Sequence, residues 1–109
     1  MLEEYSKIIP LRGMYFKPLN SVINYDAQYG SDNLRLLDVY LNNDRNISDT
    51  AKIMNLHRNS VVYRIKRIES LIGVPLDDSE LRLRILISLK VLRMLGLYPG
   101  SGKKAIEKI

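Results

Sequence analysis

The 109-residue sequence contains no cysteine, and this excludes disulfide scaffolds, thiolate metal sites and cysteine nucleophiles. A cysteine-free chain fits a reducing compartment, and a cytoplasmic protein is expected. Histidine is almost as scarce. His57 is the sole one, too few ligands for a metal site, so neither a metal nor another cofactor is expected. Long apolar runs are also missing. The start, MLEEYSK, carries early acids in place of a signal-peptide core, and no stretch reaches the length needed to span a bilayer. Asp77 and Asp78 are neighbouring carboxylates, but they stand at a helix start with no nucleophile, histidine or second acid pair beside them, so capping explains them. No catalytic residue is identified and no enzyme is expected. Internal repeats and low-complexity tracts are absent as well.

What the chain does have is apolar content and positive charge. With 46% hydrophobic residues it is long enough for one domain with a modest core. Its formal net charge of +5 suits an anionic partner. The placement of that charge is more telling than its size. Between Arg45 and Arg67 lie six cations (Arg45, Lys52, Arg58, Arg64, Lys66, Arg67) against one acid, Asp49, which leaves eleven cations and eleven acids elsewhere.

The same stretch, NISDTAKIMNLHRNSVVYRIKRIE from Asn46 to Glu69, has the pattern of two short helices around a tight turn. Ile47, Ala51 and Met54 share one face of the first helix, for which Ser48 is a capping candidate. Asn55 occupies the turn, where a left-handed backbone suits Asn, and Leu56 plugs the gap between the helices. Small Ala51 belongs where the helices cross most closely. In the second helix Val61, Ile65, Ile68 and Ile72 form a buried stripe. At about 100° per residue, Asn59, Tyr63, Lys66 and Ser70 lie opposite it, with Val62 and Arg67 on the shoulders and Ser60 and Arg64 nearer the edge. This is the layout of a helix-turn-helix reader of double-stranded DNA, with the helix from Arg58 to Ile72 in the major groove. Arg58, Asn59 and Ser60 occupy its first turn, where Arg suits guanine and Asn suits adenine. Tyr63 is a further contact, Arg64, Lys66 and Arg67 are mainly phosphate contacts, and Ser48 is grouped with them as a nucleic-acid-binding candidate. His57, just before this helix, is expected to cap or pack its end.

From about Pro18 to Leu95 the chain resembles the C-terminal helix-turn-helix domain of the PucR/CdaR class of bacterial transcription regulators. The most specific pieces are the Asn46–Glu69 run and the following GVPLDD. The resemblance implies a transcription regulator whose DNA-contacting helix maps onto Arg58, Asn59, Ser60, Tyr63 and Arg64. Ser60 stands where the family usually has Thr, and Val62 where an Arg is common, so no operator is carried over. The resemblance also implies a longer polypeptide with an upstream sensor domain for a metabolite, with residues 1–17 a linker remnant; a short stand-alone chain is the other reading.

The expected fold is an all-α small helical bundle. Residues 1–17 are assigned as a leader, 18–96 as the DNA-binding domain and 97–109 as a flexible basic tail. Helices are expected at Leu19–Tyr29, stopped by Gly30, at Asn33–Asn42, capped by Asp32, and from Ser79 to about Leu95, started by an Asp77-x-x-Glu80 box. The last helix has two apolar stripes. The one through Leu83, Leu86, Ile87, Val91 and Met94 is the candidate interface of a homodimer, which would present two reading helices to half-sites roughly 34 Å apart. A different class of function stays open: a docking or dimerisation module that uses the same fold without reading DNA. A pure docking module should have a neutral or acidic outer face on the second motif helix, and here that face is basic.

Overall fold

The computed structural model describes residues 13–99. Within that range five helices form: α1 (Leu19–Tyr29), α2 (Asn33–Asn42), α3 (Ile47–Met54), α4 (Arg58–Ile72) and α5 (Ser79–Met94). The architecture is all-helical. α4 lies at its centre, packed against α1, α2 and α3, while α5 closes the other side against α2. The core forms where the apolar stripes meet: Leu19, Val22 and Ile23 of α1, Leu34, Leu36 and Leu37 of α2, Val61 and Ile68 of α4, and Ile85 and Leu89 of α5 are all essentially inaccessible.

The breaks between helices are set by specific polar groups. Gly30 ends α1 in the left-handed region at φ 65°, where a side chain would be strained. Asp32 does not cap α2. The Asp26 carboxylate does so from the last turn of α1, accepting from the backbone N–H of Asn33 at 3.0 Å and of Leu34 at 2.9 Å, and from the Ser31 hydroxyl at 2.7 Å. A carboxylate in the preceding helix can reach both orphan donors because Gly30 folds the chain sharply, and Asp32 is left free for another partner. The expected Ser48 cap is likewise displaced. Asn46 Oδ1 accepts from the Asp49 N–H at 2.9 Å, so the helix starts at Ile47, two residues earlier than a Ser48 cap allows. At α5 the capping carboxylate is Asp78, not Asp77, and it accepts from the Glu80 N–H at 3.1 Å.

Packing continues past both expected domain boundaries. Phe16, assigned to the leader, is a core residue, and its N–H donates to the Ser88 hydroxyl at 2.7 Å. Ser88 in turn donates to the Arg84 carbonyl at 2.8 Å, so this fully buried hydroxyl is satisfied on both sides. At the other end Tyr98, assigned to the tail, is buried and donates to Asp38 at 2.8 Å. Asp38 is itself 7% exposed and also accepts from Asn42 Nδ2 at 2.7 Å and from Arg93. Burial, and then the bond to Asp38, push the Tyr98 hydroxyl well above the usual tyrosine range. The remainder of the assigned leader (1–12) and tail (100–109) lies outside the described residues.

The candidate interface stripe of α5 is divided. Leu83 and Met94 are exposed at 57% and 68%, Leu86 and Ile87 are half-buried, and Val91 is 2% exposed. Val91 is therefore already covered within its own chain; at this end of α5 the chain turns back, with the Leu97 N–H bonded to the Leu92 carbonyl.

Candidate nucleic-acid interface

α3 and α4 make the motif, and the joint between them follows from three residues. Asn55 adopts the left-handed conformation at φ 55°, ψ 49°, which Asn tolerates better than most residues. The Leu56 N–H then closes onto the Ala51 carbonyl at 2.8 Å, and Leu56 packs against the core between the helices. Ala51 is 5% exposed at the crossing. His57 caps α4: its Nδ1 accepts from the Asn59 N–H at 3.1 Å, satisfying a donor that the helix start would otherwise leave unpaired.

With its stripe of Val61, Ile65, Ile68 and Ile72 buried, α4 turns Arg58, Asn59, Tyr63, Lys66 and Ser70 outward. Ser60, Val62, Arg64 and Arg67 are half-buried at the margins, as is Ser48 in the first turn of α3. Arg58, Asn59 and Ser60 thus stand together at the α4 N-terminus. Ser48 is on a different helix, and no hydrogen bond links its side chain to them.

Two arginines on this surface are held by residues outside the motif, and neither restraint is legible in the sequence. Arg64 forms an ion pair with Asp32 at 2.8 Å, the carboxylate released by the Asp26 cap. Arg67 donates to the Tyr25 hydroxyl at 2.5 Å and to the Tyr63 hydroxyl. Its guanidinium carbon lies 5.4 Å from the Tyr25 ring centre and 5.0 Å from that of Tyr63, within cation–π range. The Tyr63 hydrogen bond, followed by the influence of Tyr25, raises the Arg67 pKa further. Tyr25 comes from α1, 42 residues away in sequence, and nothing in the local pattern of YDAQY marks it. Glu69, the one acid in the outer half of α4, turns aside: its Oε2 accepts from the Leu76 N–H at 2.7 Å and ties down the loop before α5. The exposed surface of the helix is accordingly basic.

Two helices joined at a left-handed Asn, with a small residue at the crossing and a solvent-facing basic second helix, define a helix-turn-helix DNA-binding domain. The chain belongs to the family of PucR C-terminal helix-turn-helix domains, whose model matches residues 34–91. It is therefore a DNA-binding domain of transcription regulators and not an enzyme. Among curated relatives it is similar to a purine catabolism regulatory protein of Bacillus subtilis (strain 168), 34% identical over 95 residues, covering 84% of this chain and 18% of the relative. It is also similar to the DNA-binding transcriptional activator AdeR of the same organism, 27% identical over 82 residues, covering 75% of this chain and 19% of the relative. The chain thus spans less than a fifth of the length of these relatives. No solved structure matches it significantly. Among the described residues, no helix is long and apolar enough to cross a membrane.

Proposed function

We propose that this domain reads a specific double-stranded DNA sequence as a homodimer, with α4 in the major groove, and thereby regulates transcription in the cytoplasm. The observation that carries this reading is the outward first turn of α4. Arg58 and Asn59 are exposed side by side at the capped helix start, where this motif meets base edges. Their side chains suit bidentate contacts with guanine and adenine, and Ser60 beside them suits a base or a phosphate. Tyr63, Arg64, Lys66 and Arg67, further along, serve the backbone and fix orientation, and Ser48 reaches the backbone from α3. Exposed Leu83 and Met94, flanked by half-buried Leu86 and Ile87, offer α5 as the two-fold contact, with Val91 supporting that face from inside. The relatives carry the matched segment within much longer chains, which supports a reader working under an upstream sensor domain; the purine link in one relative's name makes a purine-derived effector the first to test.

Selection from a random duplex pool at two salt concentrations tests the reading. Enrichment of a palindrome whose retention falls with salt is expected. Arg58→Ala or Asn59→Ala should then cost about 1 to 3 kcal/mol on that site and relax preference at one position. Retention with no sequence enrichment would remove the specific reader. Failure to retain any DNA would favour a docking module.

A further inference from the structure

We infer that Tyr25 is a positioning residue for DNA binding, holding Arg67 so that its guanidinium, with Lys66 beside it, receives a backbone phosphate at the C-terminal half of α4. This rests on the reading of α4 as the groove-facing helix.

An arginine on a helix surface samples many rotamers, and ordering it on contact with a phosphate costs entropy. Arg67 is restrained before any such contact. Two of its nitrogens donate to the Tyr25 and Tyr63 hydroxyls, and both rings flank the cation. Tyr25 is half-buried and its ring lies 4.6 Å from that of Tyr29, tilted by 44°. The guanidinium is therefore held between Tyr25 of α1 and Tyr63 of its own helix, and only the first of these comes from outside the motif. Neither hydroxyl carries charge to neutralise it, which distinguishes Arg67 from Arg64, whose partner is a carboxylate.

The surroundings suit one occupant. Tyr25, Tyr63, Lys66, Arg67, Ser70 and Leu71 line an open groove of about 460 Å³ along this side of α4. It contains two cations, three hydroxyls and no acid. A groove of this composition, open along its length, fits a strand of sugar-phosphate backbone. It lies on the half of α4 remote from Arg58, where contacts orient the helix and do not read bases.

Binding of the chain to a mixed-sequence duplex, measured by fluorescence anisotropy over a series of salt concentrations, tests this. Removing one phosphate contact lowers the slope of log K against log salt by about 0.9. Arg67→Ala should show that loss. Tyr25→Ala should reproduce most of it, weakening binding about 3- to 10-fold, and should add nothing in an Arg67→Ala background. Tyr25→Phe keeps the ring and loses the hydroxyl, and should fall between the parent and Tyr25→Ala with an unchanged circular-dichroism melt. Parental affinity and slope in both Tyr25 variants, alongside a loss in Arg67→Ala, would overturn the role of Tyr25. So would a Tyr25→Ala loss that persists in full without Arg67. If Arg67→Ala were silent on every duplex while Arg58→Ala still impaired binding of the enriched site, the groove would hold no phosphate although the reader stood. A parent chain that bound no duplex would end both.

Discussion

Replacing Asp32 by Asn should tighten DNA binding, although it removes a native ion pair. The pair joins the turn before α2 to Arg64 at 2.8 Å, and its side chains are 53% and 32% exposed. Pairs so open to water contribute about 0.2 to 1 kcal/mol to stability. The unfolding free energy should therefore fall by no more than about 1 kcal/mol. DNA binding sees the same quantity with the opposite sign, because Arg64 must leave Asp32 to meet a phosphate. Asn keeps the shape and releases the cation, so affinity for any duplex should rise about 2- to 5-fold. The salt dependence should steepen by up to about 0.9, the value of one further phosphate contact. Anisotropy titrations of a mixed-sequence duplex at several salt concentrations would measure both. The gain should vanish in an Asp32→Asn/Arg64→Ala double variant, which ties it to the pair and not to net charge alone. Weaker binding by Asp32→Asn would refute the reasoning and show that the carboxylate orients Arg64 for DNA instead of competing with it.

Two further changes test the scaffold. Ala51→Leu inserts a larger side chain where α3 crosses α4, at a site 5% exposed, and should cost about 1 to 3 kcal/mol in denaturant unfolding while misaligning the reader; a fully stable variant would place the crossing elsewhere. Asp38→Ala strips the acceptor from Tyr98, Asn42 and Arg93. It should cost about 2 to 4 kcal/mol, below the full penalty for a broken buried pair because Arg93 can turn to water, and a loss under about 0.5 kcal/mol would show that Asp38 does not hold Tyr98 in place.

Much of this architecture is local and so was open to sequence reasoning. The bounds of α1 and α2 follow from apolar spacing and from Gly30, those of α4 from a stripe repeating at every third or fourth residue, and the Asn55 turn from a conformation few residues accept. The capping errors share one cause. A sequence pattern assigns a cap to the nearest suitable side chain, as with Asp32, Ser48 and Asp77, but the fold selects by reach. Asp26, seven residues before the helix it caps, wins because Gly30 brings it back over the start of α2. Phe16 and Tyr98 carry no local signal of their place in the packed unit, because each is anchored through a long-range bond, to Ser88 and Asp38 respectively.

These displaced partners bear directly on function. Because Asp26 caps α2, Asp32 is available to restrain Arg64; because α1 crosses beside α4, Tyr25 can restrain Arg67. The two restraints would act oppositely on a cation that met a phosphate. A carboxylate lowers the free energy of the unbound arginine and weakens its contribution to binding every sequence alike, whereas two neutral hydroxyls remove rotamer freedom without neutralising charge. Nonspecific affinity is set mainly by such backbone contacts, and the specificity ratio is what remains when base contacts are added to them. On the proposed reading, an α4 with Arg64 held back and Arg67 presented would lose part of its sequence-independent grip while keeping its orientation, which would leave Arg58 and Asn59 a larger share of the total. The arginine face of α4 is thus restrained from α1 and the α1–α2 turn, two elements with no place in the helix-turn-helix motif itself.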